Sequence, residues 1–209
     1  MTTRQKLRSE ETRNAILSAA GRLFAERGFH TVTMREIAKE AGRSHTTIYI
    51  YFKDKEEPLH ELSTPPLQEM KRQFEDIASR EGLSPEGQLK EMSQEFIRFC
   101  LRHKNMYTVI FVTKGTSVEE KEPALAINKL RFELFGLIQR QVQRCLGLQD
   151  DDRRLLTCGR IYFYTLHGIV STYAQSEEPL TDLLSRLEST FEETVEVLLL
   201  GFKQKLNGR

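Results

Sequence analysis

Between Thr31 and Glu57 the chain reads TVTMREIAKEAGRSHTTIYIYFKDKEE, and its side chains suit reversible contact better than bond making. His45, Thr46 and Thr47 place short groups that donate and accept hydrogen bonds directly after Ser44. Tyr49 and Tyr51 carry hydroxyls on long rings. Lys53 and Lys55 sit where another helix starts, a place that already favours phosphate oxygens. Thr33, Arg35 and Arg43 flank the set. Short polar groups for base edges, ringed by hydroxyls, amides and cations for phosphates, are what a helix in the major groove of double-stranded DNA needs. The competing reading, an ordinary aromatic core of Tyr49, Tyr51 and Phe52, leaves the lysines in register with them unexplained.

These residues need a helix, a tight turn and a second short helix to hold them. The first helix is expected from about 10 to 27, with Ile16, Ala20, Leu23 and Phe24 at helical spacing and Gly28 as its stop. Thr33 and Glu36 form the reciprocal T-x-x-E cap of a second helix, which ends at Ala41–Gly42. Ser44 caps a third, ending near Tyr51–Phe52, and Asp54 with Glu57 starts a fourth. Pro58 lies in that helix's first turn, and Ser63-Thr64-Pro65-Pro66 is expected to break or sharply kink it. Further helices are expected at about 67–80, 85–103 (Ser84 as cap, Pro85 first), 105–114, 123–146, 152–175 and 179–204. TTIYIYF and MYTVIFV have strand composition but no partner strand. The fold class is therefore all-α: a three-helix head, residues 1–57, on a larger helical bundle, residues 58–209, with the boundary between about 55 and 66.

Composition agrees. Residues 1–60 carry eleven Lys or Arg against eight Asp or Glu; the remainder carries twenty against twenty-two. A mildly basic head on a mildly acidic body fits a DNA-reading module joined to a partner-binding one. Arg4, Lys6 and Arg8 are either an arm that follows the DNA backbone or a solvated terminus. The opening residues lack an apolar run, and VEVLLLGF at 195–202 is too short to span a bilayer, so a cytoplasmic protein with no membrane association is expected. Cys100, Cys145 and Cys158 fit neither a disulfide framework nor a zinc motif and read as reduced, buried thiols.

The ordered set AERGF, then T-x-R-E-I-A-x-x-A-G, then T-x-Y-x-Y-F-K-x-K-E-E, resembles the TetR family of bacterial regulators over about fifty residues. LHGIVSTYAQ, 166–175, resembles that family's penultimate helix more weakly. The resemblance implies phosphate contacts from Thr47, Tyr49 and Lys55, groove contacts from Arg35, His45, Thr46 and Tyr51, and core roles for Ile48 and Phe52. This chain departs from the family pattern at Arg43, Thr46, Ile50 and Pro58.

In the last helix Leu184, Leu187, Phe191, Val195, Leu198 and Phe202 form one apolar stripe; before it, Leu155, Cys158, Tyr162, Leu166, Ile169 and Tyr173 form another. Both stripes either face the chain's own core or, as the resemblance implies, meet a second copy in a four-helix bundle. Two heads spaced roughly one DNA turn, 34–36 Å, would read a palindromic operator. Phe96, Phe99, Cys100, Met106, Tyr107, Phe111, Phe132, Phe135, Tyr162 and His167 are candidates for a mostly apolar pocket that the resemblance assigns to a small-molecule effector. The function implied is a DNA-binding repressor released by that effector. The alternatives are an activator or a ligand-independent adaptor of the same family. Catalysis is not expected: paired E-x-x-H motifs, a nucleophile motif and a phosphate loop are missing, the histidines lack ligand spacing, and no metal or cofactor is called for.

Overall fold

The computed structural model describes residues 3–107, 111 and 126–208, and among them it contains helices and no strand. In chain order these are α1 (Thr3–Arg27), a 3₁₀ turn (Phe29–Thr31), α2 (Met34–Glu40), α3 (His45–Tyr51), α4 (Glu56–Ser79), α5 (Pro85–Arg102), α6 (Lys104–Tyr107), α7 (Ala126–Leu146), α8 (Arg153–Tyr173) and α9 (Leu180–Asn207). The all-α expectation holds. The described chain divides into two compact units. One runs to Pro66 and takes in Asn105–Tyr107 and Phe111; the other holds Leu67–Lys104 and the described residues from Ala126 on.

In the first unit Ile16, Ala20 and Phe24 of α1 close on Ile37 and Ala38 of α2, Ile48 of α3, and Phe29, Val32, Phe52 and Leu59. Each joint is made by local chemistry. The Glu36 amide donates to Thr33 Oγ1 at 3.3 Å while the Thr33 amide donates to Glu36 Oε2 at 2.9 Å, the reciprocal cap that starts α2. Gly42 follows with φ 64°, a left-handed position that a Cβ would strain, and turns the chain. Ser44 Oγ then accepts the Thr47 amide at 3.0 Å and starts α3. At α4 the reciprocal pattern shifts by one residue: Asp54 Oδ1 accepts the Glu57 amide, and Glu57 reaches back to the Lys53 amide.

Two sequence expectations are corrected. The first helix starts at Thr3 rather than near residue 10, because residues 3–9 contain no Gly or Pro and are mostly good helix formers. And α4 runs without a break through Pro65 and Pro66. Each proline removes a backbone donor, at about 3 kcal/mol. Beyond them Leu67, Met70, Phe74 and Ile77 recur at intervals of three and four and are all buried, which outweighs that loss. The expected helices at 105–114 and 123–146 are seen as α6 and α7, and their remaining residues lie outside the described ones.

In the second unit α5, α7, α8 and α9 surround a core of Leu89, Met92, Phe96, Leu134, Ile138, Tyr162, Leu166 and Leu183. Ser84 caps α5 with Pro85 in its first turn, as expected. Gln88 ties α5 to α7: its Oε1 accepts from Gln141 Nε2 at 2.9 Å and from Arg144 at 2.8 Å.

Candidate nucleic-acid interface

α3 has two faces. Ile48 is fully buried, and Phe52 at the helix end nearly so. His45, Thr46, Tyr49 and Ile50, which share the opposite face by one-turn spacing, are exposed. The His45 and Tyr49 rings meet edge to face with centroids 5.1 Å apart, which groups the two side chains on the exposed face. Thr47 is half-buried, with its hydroxyl 2.7 Å from that of Ser44.

The cations of this unit sort into two sets. Arg13 pairs with Glu61 and lies over the Phe52 ring, Arg22 pairs with Glu40, and Arg27 pairs with Glu36. Glu36 stays ionised: the Thr33 hydroxyl first, then the Thr33 amide and Arg27, hold its carboxyl at about 2. Arg35, Lys39, Arg43 and Lys53, on α2, on the turn and after α3, are exposed and have no ion-pair partner among the described residues. So do Arg4, Lys6 and Arg8 at the start of α1. Among the described residues, the positive charge of this unit without an ion-pair partner thus lies on α2, on the segments flanking α3, and on the first turns of α1.

Four expected contact residues have structural duties. Thr33 and Ser44 spend their side-chain oxygens on caps. The Ser9 hydroxyl donates to that of half-buried Tyr51 at 3.4 Å, joining α1 to α3. Lys55 directs its ammonium to the carbonyl oxygens of Phe29 and Val32, 3.0 Å each, and of His30 at 3.4 Å, with the Phe29 ring 4.4 Å away. Ile50, which the sequence marks only as a departure from the family pattern, is not among the expected contact residues. Its spacing of four from Thr46 was the available signal.

The expected pocket residues are divided between the two units. In the second, Phe96, Phe99, Cys100, Phe135 and Tyr162 are buried, and His167 is half-buried. Phe163, absent from the expected set, joins them: its ring centroid lies 4.3 Å from His167, 5.3 Å from Phe135 and 5.8 Å from Phe96. Phe132 is corrected, since it is half exposed on α7. Tyr107 is buried and Phe111 half-buried in the first unit, with ring centroids 5.7 Å apart. The Met106 side chain lies outside the described residues. Burial pushes the three thiols up, Cys100 well above its usual value and Cys145 to about 12. It also lowers His167 to about 4, with Arg131 adding to the effect.

The expected interface stripes need a larger correction. Tyr162, Leu166, Leu187, Phe191 and Val195 are buried inside the chain's own second unit, so they have no surface left for a partner. Tyr162 is fixed there, its hydroxyl 2.5 Å from that of buried Ser93. Leu155, Ile169, Tyr173, Leu184 and Leu198 are half-buried along the edges. The exposed apolar side chains of α8 and α9 are Leu156, Ile161, Tyr164, Val197 and Leu200, 40% to 67% exposed. A groove of about 550 Å³ between Thr165 on α8 and Thr190, Thr194 and Val197 on α9 adjoins them. A second groove, about 750 Å³, lies between α4 and α5 and is lined by charged side chains such as Arg72, Asp76, Arg80, Glu91 and Arg98. No helix among the described residues is long and apolar enough to cross a membrane, and no three His, Cys, Asp or Glu side chains gather as metal ligands there.

Residues 16–62, which hold the exposed α3 face and its neighbours, match the family described as bacterial regulatory proteins, tetR family. The chain is 30% identical to the HTH-type transcriptional regulator AcrR of Shigella flexneri over 159 residues, 73% of this chain and 65% of that one. The match therefore spans slightly under two thirds of that relative's length. It is 33% identical to the uncharacterized HTH-type transcriptional regulator YdgC of Bacillus subtilis (strain 168) over 131 residues, 61% of this chain and 67% of the relative. The fold is similar to that of Thermus thermophilus FadR, described as a TetR family transcriptional repressor in complex with lauroyl-CoA. The TM-score is 0.58 at 23% identity, covering 90% of this chain and 93% of that one.

Proposed function

Since the chain belongs to the TetR family of bacterial regulatory proteins, we propose that it is a repressor that binds a palindromic operator as a homodimer and leaves it when a small, largely apolar effector binds. The observation that carries this reading is the exposed α3 face flanked by cations without partners. Laid in the major groove, α3 presents His45, Thr46 and Tyr49 to base edges, while Arg35, Arg43, Lys53 and Thr47 reach phosphates. Tyr51 and Lys55 act through the fold, by holding α3 against α1 and the Phe29–Val32 segment. Arg4 and Arg8 add phosphate contacts, because the Ser9–Tyr51 contact ties the start of α1 to the end of α3.

Residues 1–57 serve as the DNA-binding domain, and 58–209 as the effector-binding and dimerisation domain. Dimerisation uses the exposed face of α8 and α9, where five large apolar side chains face water in the single chain. The rings of Phe96, Phe135, Phe163 and His167 supply an apolar wall for the effector. A related fold that holds an acyl-CoA makes a ligand with a long apolar portion the first to test. Release requires only that the ligand favour an arrangement whose heads no longer match the operator.

A gel shift with the DNA upstream of the chain's own reading frame tests the reading. The wild type should retard that duplex, and Tyr49→Ala combined with Lys53→Ala should abolish the shift with an unchanged circular dichroism spectrum. Equal retardation by the double variant would remove α3 from the interface.

A further inference from the structure

Ile50 is 76% exposed, the largest exposure among the large apolar side chains of the described residues. It stands on the same face of α3 as His45, Thr46 and Tyr49, all of which carry polar atoms. A β-branched side chain gains nothing in a short helix from local propensity. Nor does it serve the core here, since Ile48, two residues earlier, fills that role at full burial. A single exposed isoleucine on an open surface would call for no account. This one is set in a polar face whose neighbourhood carries unpaired Arg35, Arg43 and Lys53, so the surface it meets when covered is polyanionic.

Inside a major groove the choice of apolar partner is narrow. Base edges there present acceptors and donors, and the one apolar group is the 5-methyl of thymine. Thr46 lies one helical turn before Ile50 and carries its own methyl, so the two side chains together offer an apolar strip beside the hydrogen-bonding tips of His45 and Tyr49. We infer that Ile50 is a specificity-determining residue that packs against a thymine 5-methyl in each operator half-site, an assignment that rests on α3 being the helix that enters the groove. The pairing needs no hydrogen bond and excludes the bare C5 edge of cytosine by leaving a gap.

The test uses the full chain and a duplex it selects from a randomised pool. Thymines are then replaced by deoxyuridine, which removes only the methyl, one symmetry-related pair at a time. One pair should weaken wild-type binding by about fourfold per half-site, or roughly fifteenfold for the duplex, the effect of exposing one methyl in each half. Ile50→Ala, at an exposed position that folding does not depend on, should bind the all-thymine duplex more weakly and be indifferent to that replacement. Ile50→Val should keep most of the discrimination. Three results overturn the assignment while leaving DNA binding intact: a selected site without thymine in its half-sites, no sensitive thymine pair, or a sensitive pair whose effect persists in Ile50→Ala. Weaker binding by Ile50→Ala without any sensitive thymine would place the side chain on deoxyribose instead. Failure to select any duplex would defeat the interface itself, and the thymine contact with it.

Discussion

The ammonium of Lys55 lies 3.0 Å from the carbonyl oxygen of Val32, the residue that precedes the cap of α2. The same ammonium reaches the carbonyls of Phe29 and His30, so a single cation ties the segment before α2 to the segment after α3. Replacing it with the near-isosteric Lys55→Met should destabilise the first unit by about 2 kcal/mol, the range for a charge-assisted bond lost from a half-buried site. The salt dependence of DNA binding should not change. Lys53→Ala should do the reverse, leaving the denaturation midpoint alone and lowering the slope of log affinity against log salt by about 0.9 per phosphate contact. Denaturant titrations and binding isotherms at several salt concentrations read the two effects separately.

The exposed first turns of α1 are the next test. Arg4→Ala with Arg8→Ala should reduce the salt slope by about 1 or more per head, with no shift in melting temperature, since neither guanidinium has an ion-pair partner in the described structure. An unchanged slope would make those turns a solvated extension.

On α9, Val197→Glu with Leu200→Glu should convert the proposed dimer to a monomer in sedimentation velocity at micromolar concentration, because each would bury an unpaired carboxylate in an apolar contact. Operator affinity should fall with it. Tyr162→Phe, on the inward side of α8, should leave the association state alone and lower stability by about 1 kcal/mol through loss of the Ser93 contact. If the double variant remains dimeric, the interface lies elsewhere.

The head was readable in advance because its signals are local. Thr33 and Glu36, Gly42, and Ser44 each act within four residues of themselves, and each does in the structure what its spacing predicted. Lys55 was not readable in its structural role, since three carbonyls more than twenty residues away converge on it only after folding. The stripes on α8 and α9 show a different limit. Periodicity locates an apolar face but not what covers it. α8 is apolar on two sides, with Tyr162 and Leu166 turned inward and Ile161 and Tyr164 outward. For Pro65–Pro66, the proline signal is local while the burial that overrides it, at Leu67, Met70 and Phe74, is tertiary.

His167 makes stability depend on pH in a defined window. Burial, reinforced by Arg131, lowers its folded value from the usual 6.5 to about 4. The unfolded chain therefore takes up a proton that the folded chain refuses. The stabilisation is complete above about 6.5 and is lost as pH falls toward 4, amounting to about 3 kcal/mol over the range. Unfolding midpoints of the wild type should drop across that interval, and His167→Phe should flatten the drop. A variant that tracks the wild type would assign the loss to other groups.

The placement of the three thiols has a practical consequence. Cys100, Cys145 and Cys158 all belong to the second unit, are buried, and resist ionisation. The stretch up to Pro66 has no cysteine. Alkylation of the native chain is therefore slow until the second unit opens, and every label taken up is a record of that opening alone. An added ligand that slows labelling must be closing that unit, so the chain carries its own built-in reporter of occupancy and needs no engineered probe.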